Sequence, residues 1–400
     1  MTTTLASTPG AAPSGALPRV RPLAVTAHGV VSPAGLGLDA LAEALRGDRA
    51  ACADAAQLPL GEAQDDGLPG EVRVVPDFRI ADHVGRKGTR HLDRTTALGL
   101  AAVAVLRAGS ADPVDTVPVD AAANDPEWTT TGVVVGSTSG SVRSSSEFAR
   151  DTHVQERPYL VNAAAFPNTV MNSVTGQMAI WHGLRGINAT LSGGTTASLN
   201  AFRYARNALA RGHAERLVVG GVEELCPQTA WGWHATGGLT AGTPVGEGCA
   251  VFAVRDAEAA RAAGAPVLAE LLACETAFVP EGTRPGPAGA LADCIGRALE
   301  RSGVAADDVT LVSLGATGLT ALEEVEQRAV RKALGDRDVP AVRVKDVTGE
   351  AYSADGALQL AAVLARWQDE QAPSGRIALV TSVGHDGNVA CLVVRDGAAG

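Results

Sequence analysis

Long apolar runs are absent from this 400-residue chain. Without a stretch of about 18 consecutive apolar residues, a membrane-spanning helix is excluded. Paired cysteines are absent too. Cys52, Cys226, Cys249, Cys274, Cys294 and Cys391 are scattered with no Cys-x-x-Cys spacing, so neither a zinc site nor a disulfide framework is signalled and buried free thiols are expected. His182, His213 and Cys226 lack metal-ligand spacing. Gly193-Gly194 and Gly246-Glu247-Gly248 lack the spacing and following lysine of a nucleotide loop. No metal or cofactor is therefore expected. Basic charge is in deficit: 33 Lys and Arg against 44 Asp and Glu give a net charge of −11. That balance disfavours nucleic acid and anionic membranes as partners, and makes the chain a poor sole dock for an acidic protein. Residues 1–19 are rich in Thr, Ala, Pro and Gly but lack a basic start followed by an apolar block. They read as a disordered tail on a cytoplasmic protein.

What is present is enough apolar residue, 46%, to bury a large core. Apolar, β-branched runs fall at 22–26, 131–136, 187–191, 216–222 and 249–254, and a second set at 266–273, 309–314, 341–345, 377–383 and 390–395. Helical stretches separate them at 37–46, 92–108 and 195–211, then at 286–302, 320–334 and 354–368. This alternation, twice over, predicts α/β architecture with sheets covered by helices. Pro and Gly clusters at 51–77 and 279–288 read as surface loops.

The most informative segment is Asn188-Ala-Thr-Leu-Ser-Gly-Gly-Thr-Thr-Ala-Ser198, a short strand turning through small residues into a helix. Leu199, Phe202, Ala205 and Leu209 keep helical spacing up to Gly212. Thr195 stands where such a corner displays a nucleophile. An alcohol ionises many orders of magnitude less readily than a thiol, so Thr195 needs a strong base to react. At the start of a helix a threonine otherwise serves as an N-cap.

The corner resembles the nucleophile turn of β-ketoacyl synthases, which usually reads close to Ser-Thr-Ala-Cys-Ala-Ser-Gly; aligned on Ser192, the cysteine position is Thr195. The resemblance also places two histidine positions. One, in a His-Gly-Thr-Gly-Thr loop, falls on Gly315 of Gly315-Ala-Thr-Gly-Leu319; the other, ending Lys-x-x-x-Gly-His, falls on Glu350 after Lys345. Glu326 and Lys345 match a framework carboxylate and lysine, and are expected to pair. Further matches run from Ala24–Pro33 through Leu92-Asp93-Arg94, Thr175-Gly176-Gln177, His182–Gly186 and Gly246-Glu247-Gly248 to Gly384–Gly387. They imply the thiolase-type fold: two similar βαβαβ halves in a five-layered α-β-α-β-α arrangement, residues 20–258 and 259–400. With all three catalytic positions changed, and a Glu350 carboxylate that would oppose a developing enolate, the site reads as silent for condensation.

Within that family the chain resembles the chain-length factor, the cysteine-free sister of the ketosynthase in type II polyketide systems. Gly384-His385 and the run Gly349-Glu-Ala-Tyr-Ser353 carry this likeness. The resemblance implies a heterodimer with a cysteine-bearing ketosynthase, an acyl carrier protein served by the pair, and a shared tunnel whose depth sets product length. Matching Ser139-Gly140 to the family's Gly/Ser turn puts the tunnel gate on Ser141, Ser144 and Phe148. Phe166–Val174 lacks the several aromatics of factors from aromatic polyketide systems, and aromatics are 4% overall. That fits a reducing, polyene-type system. The competing function is an acyltransferase or esterase-like enzyme using Thr195 or Thr196 as nucleophile with His385 as base.

Overall fold

The computed structural model describes Leu17 and residues 19–47, 70–109, 126–282, 284, 286–368 and 375–397. The tail expected at 1–19 lies, apart from Leu17 and Arg19, outside the described residues, as do Cys52 and residues 51–69 of the first expected loop. The other five cysteines are buried free thiols.

Among the described residues thirteen strands are formed: β1 Leu23–Ser32, β2 Gly35–Leu36, β3 Val72–Arg73, β4 Gly132–Gly136, β5 Asn188–Leu191, β6 Arg216–Glu223, β7 Val245–Gly246, β8 Gly248–Asp256, β9 Ala269–Phe278, β10 Val309–Ser313, β11 Ala341–Val342, β12 Ile377–Val383 and β13 Asn388–Asp396. All but β3 and β7 join one sheet, in the order β11-β10-β12-β13-β9-β1-β8-β6-β4-β5, with β2 on β1. The sheet is two copies of one pattern. In the first copy β4 runs parallel to β5 and β6, and β8 antiparallel to β6 and β1. In the second, β10 runs parallel to β11 and β12, and β13 antiparallel to β12 and β9. The copies meet where Leu23–Val25 of β1 pair with Ala269–Leu271 of β9.

Side-chain alternation builds the layers. Val134, Leu217, Val219, Ala250 and Phe252 face a central core shared with Ala378, Val380, Ala390 and Leu392 from the other copy. That core is filled by the helices Ala197–Ala210 and Asp355–Gln368, through residues such as Leu199, Phe202, Leu358 and Leu360. The intervening residues, Val133, Val135, Val218 and Val251, face the outer helices Arg94–Ala108 and Ser173–His182. Leu379, Cys391 and Val393 face the outer helices Gly286–Ser302 and Leu322–Leu334. The result is the five-layered α-β-α-β-α thiolase-type arrangement. Both faces of β4, β6 and β12 are buried, which is why these strands read as apolar runs.

Two differences from the expected elements bear on the site. The run 341–345 stops as a strand at Val342, because Lys345 is drawn inside and begins the short helix Lys345–Thr348. The helices Ser173–His182 and Pro227–Thr236 were not expected; the second buries only Ala230, so no apolar stripe announces it.

Candidate functional site

The site sits beyond the carboxyl ends of β4, β5 and β6, where the chain turns into the central helices. After β5, Gly193 and Gly194 take φ of +149° and +57°, values that a side chain disfavours, and the chain enters a 3-10 turn Gly194–Thr196 before the helix begins. The turn is locked from three sides. The Gly194 amide donates to Thr138 Oγ1 (3.0 Å), the Thr196 hydroxyl to the Gly193 carbonyl (2.7 Å), and the Ser382 hydroxyl to the Thr195 carbonyl (3.2 Å). Thr195 is 3% exposed and its own hydroxyl has no hydrogen-bond partner among the described residues. Thr195 is therefore not the helix cap expected of it. The capping position falls on Thr196, which makes no side-chain cap bond either.

Gly315 follows β10. Its amide donates to Glu326 Oε1 (3.0 Å), that of Ala316 to Glu326 Oε2 (2.9 Å), and the Thr381 hydroxyl donates to Oε1 (2.7 Å). Glu326 is thus a clamp on the loop, fully buried, with burial pushing its carboxyl above the usual range. A Cβ at position 315 would lie 2.5 Å from the Thr381 carbonyl oxygen, so this backbone has no room for an imidazole there.

The expected Glu326–Lys345 ion pair is not formed. Lys345 Nζ lies 2.5 Å from Glu350 Oε2 and 2.8 Å from Asp355 Oδ2, all three residues buried. Burial alone would depress the ammonium, but Asp355 and Glu350 raise it above the ordinary lysine range. Burial and the neighbouring Glu350 push Asp355 well above the carboxylate range. Glu350 Oε1 also accepts the Tyr352 amide (3.0 Å). Glu350 lines the cavity and carries its own counter-ion in Lys345.

These groups surround a cavity of about 700 Å³ whose wall includes Thr195, Glu223, Glu350, Trp233, Tyr352 and His385. His385 bonds through Nε2 to the Gly238 carbonyl (3.0 Å). Glu223 ends β6 and is buried; its carboxyl accepts from the Ser353 amide (3.3 Å), and burial pushes its pKa up to about 8. Beside it Glu224, raised by burial, accepts from the Ser141 hydroxyl (3.0 Å) and the Arg143 amide (3.0 Å). Glu223, Glu224, Trp233, Tyr352 and Asp386 were not singled out from the sequence as lining a site. The available signal was a carboxylate pair directly at the end of an apolar strand, where α/β sheets place ligands.

Ser141 caps the helix Val142–Val154 by accepting from the Ser144 amide (3.1 Å), and its hydroxyl lies 2.9 Å from that of Ser144. Phe148 packs its half-buried ring 5.8 Å from that of Phe166. From this stretch Ser139 and Val142 line the cavity. Two dispersed sequence matches prove to be one contact, since Arg94 Nε donates to Glu247 Oε2 (2.7 Å).

Against models of known families, residues 20–272 match the β-ketoacyl synthase N-terminal domain and residues 268–376 the corresponding C-terminal domain. The chain belongs to the β-ketoacyl synthase family. Among relatives, the actinorhodin polyketide putative beta-ketoacyl synthase 2 of Streptomyces coelicolor is 28% identical over 85% of this chain and 84% of its own length. The 3-oxoacyl-[acyl-carrier-protein] synthase 2 of Vibrio harveyi is 26% identical over 72% of each chain. Among solved structures, the ishigamide ketosynthase/chain length factor is 34% identical, covers 94% of this chain and 99% of its own, and superposes with a TM-score of 0.76. This member of the family thus has the fold shared by ketosynthases and chain-length factors.

Proposed function

We propose that this chain is the non-condensing partner of a cysteine-bearing ketosynthase in a type II polyketide synthase, where it completes a shared acyl tunnel and sets product length. The observation that carries this reading is the solitary Thr195 hydroxyl. A general base must lie within hydrogen-bond reach of the group it activates, and Thr195 has no such contact. The crowding at Gly315 and the Lys345 counter-ion on Glu350 support the same conclusion.

The surface offers a place for such a partner. β5 is a sheet edge, paired with β4 alone, and the helix Ser173–His182 beside it leaves Ile180 72% exposed. Phe166 and Val170 are exposed nearby. An open strand edge bordered by apolar side chains favours association. An acidic carrier protein has a local landing point despite the overall negative charge: Arg86, Lys87 and Arg90 are all exposed on one loop, tied to this surface where the Asn168 side chain donates to the His91 carbonyl (2.9 Å). Ser141, Ser144 and Phe148 form the gate in this reading, with Phe148 as its stop and a polyene-type chain as its occupant.

The decisive experiment is co-expression with a cysteine-bearing ketosynthase. Thr195→Ala is expected to leave product formation by the pair unchanged; loss of turnover in an intact heterodimer would sink the proposal. Phe148→Ala is expected to lengthen the product, and an unaltered length distribution removes the gate assignment. The acyltransferase alternative requires the isolated chain to gain acyl mass on the 188–203 peptide when given acyl carrier substrates. The His385 contact with the Gly238 carbonyl argues against that outcome.

A further inference from the structure

The cavity beside Thr195 combines an apolar wall with several carboxyl groups. Four carboxyl-bearing residues, Glu223, Glu224, Glu350 and Asp386, line it, and neither Lys nor Arg does. Lys345 compensates Glu350 from behind, and Glu224 is held by Ser141 and by backbone amides, but among the described residues Glu223 and Asp386 have no basic side chain in contact. Two aromatic rings complete the wall: Trp233 and Tyr352 meet edge-on, with ring centroids 5.6 Å apart. Thr195 lines the same space, and its buried hydroxyl has no partner among the described residues.

Carboxylates and aromatic faces together make the environment that recognises ammonium groups, through charge-assisted hydrogen bonds and cation–π attraction. No three of the described His, Cys, Asp and Glu side chains converge to hold a metal ion, so the charge pattern suits a larger, organic cation. We infer that this cavity binds an organic ammonium ligand with an apolar body, its head among Glu223, Asp386 and the Thr195 hydroxyl and its body against Trp233 and Tyr352. Burial pushes the Glu223 carboxyl up to about 8, which favours its protonated form. A bound ammonium supplies a counter-charge and releases the proton, so the site is complete only when occupied. A volume of about 700 Å³ is within the range of small-molecule pockets. The inference does not depend on the chain being a ketosynthase partner.

The test uses three probes of equal apolar size, hexylammonium, 1-hexanol and hexanoate, titrated into the full chain by calorimetry. Hexylammonium is expected to bind about tenfold more tightly than hexanol, and hexanoate more weakly than either. Glu223→Gln is expected to reduce ammonium affinity about tenfold while leaving hexanol unaffected. Because Glu223 is buried, Asp386→Asn at the exposed mouth provides a second variant that does not endanger folding; a loss of about threefold is expected, specific to the ammonium probe. Equal affinity for the three probes, or unchanged hexylammonium binding in both variants, overturns the proposal.

Discussion

Lys345 carries more of the site than its conserved-looking neighbourhood in the sequence suggests. One ammonium serves two buried carboxyl groups, Glu350 and Asp355, and no other cation touches either. Removing one member of a buried ionic cluster leaves uncompensated charge, at a cost of about 3–5 kcal/mol. Lys345→Met should therefore lower stability by that order in denaturant titration, whereas replacing Glu350 by Gln should cost much less because Asp355 remains to hold the ammonium. Glu223 gives a pH signature. Its folded-state pKa of about 8 exceeds its ordinary 4.5, so between those values the folded state keeps a proton that the unfolded chain has lost. Stability then falls as pH rises through that window and levels off above it. Other raised carboxyls contribute the same slope, so the measurement is the difference: Glu223→Gln should show a shallower loss of stability between about pH 4.5 and 8 than the wild type. From the sequence, Thr195 was legible in its small-residue corner, and Glu326, Lys345 and Glu350 were picked out through the family resemblance. Their partners were not. Lys345 pairs with Asp355 ten residues away and not with Glu326, a choice made by tertiary packing that no local pattern encodes.

At the scale of elements, the corner depends on strands and helices approaching more closely than side chains permit. A Cβ on Gly136, the last residue of β4, would lie 2.4 Å from the Ser198 amide nitrogen at the start of the central helix. Backbone cannot yield as a flexible side chain can. Gly136→Ala should cost about 1–3 kcal/mol by overpacking, and should displace the 194–198 turn enough to alter the fluorescence of a probe at that corner. The two central helices touch at the same level, where the Ser198 hydroxyl accepts the Ala357 amide (3.1 Å). Most of these elements could be read from the sequence: strands buried on both faces give apolar runs, and the helices 94–108, 286–302 and 355–368 are long and well filled. The helix Pro227–Thr236, which supplies Trp233 to the cavity, was hidden because it buries almost nothing in this chain.

For the whole molecule, the repeated strand order was foreshadowed by the two successive sets of apolar runs, but the five-layer stacking came from family resemblance. Periodicity alone cannot say which faces of two sheets meet. The prediction at this scale concerns association. Ile180→Asp together with Phe166→Ser should leave thermal unfolding of the chain itself little changed, since both side chains are exposed, while reducing its co-purification with a ketosynthase partner at least about tenfold. Unchanged co-purification would place the interface elsewhere.

The tight packing around Gly315 has a chemical consequence. With the Thr381 carbonyl occupying the volume of a side chain at that position, this backbone cannot accept an imidazole there by one substitution. Any change in that direction is first a folding defect and only afterwards a chemical gain. In the proposed reading, a cysteine placed at position 195 would be a nucleophile with no base in contact among the described residues, so the thiol alone would not confer condensation.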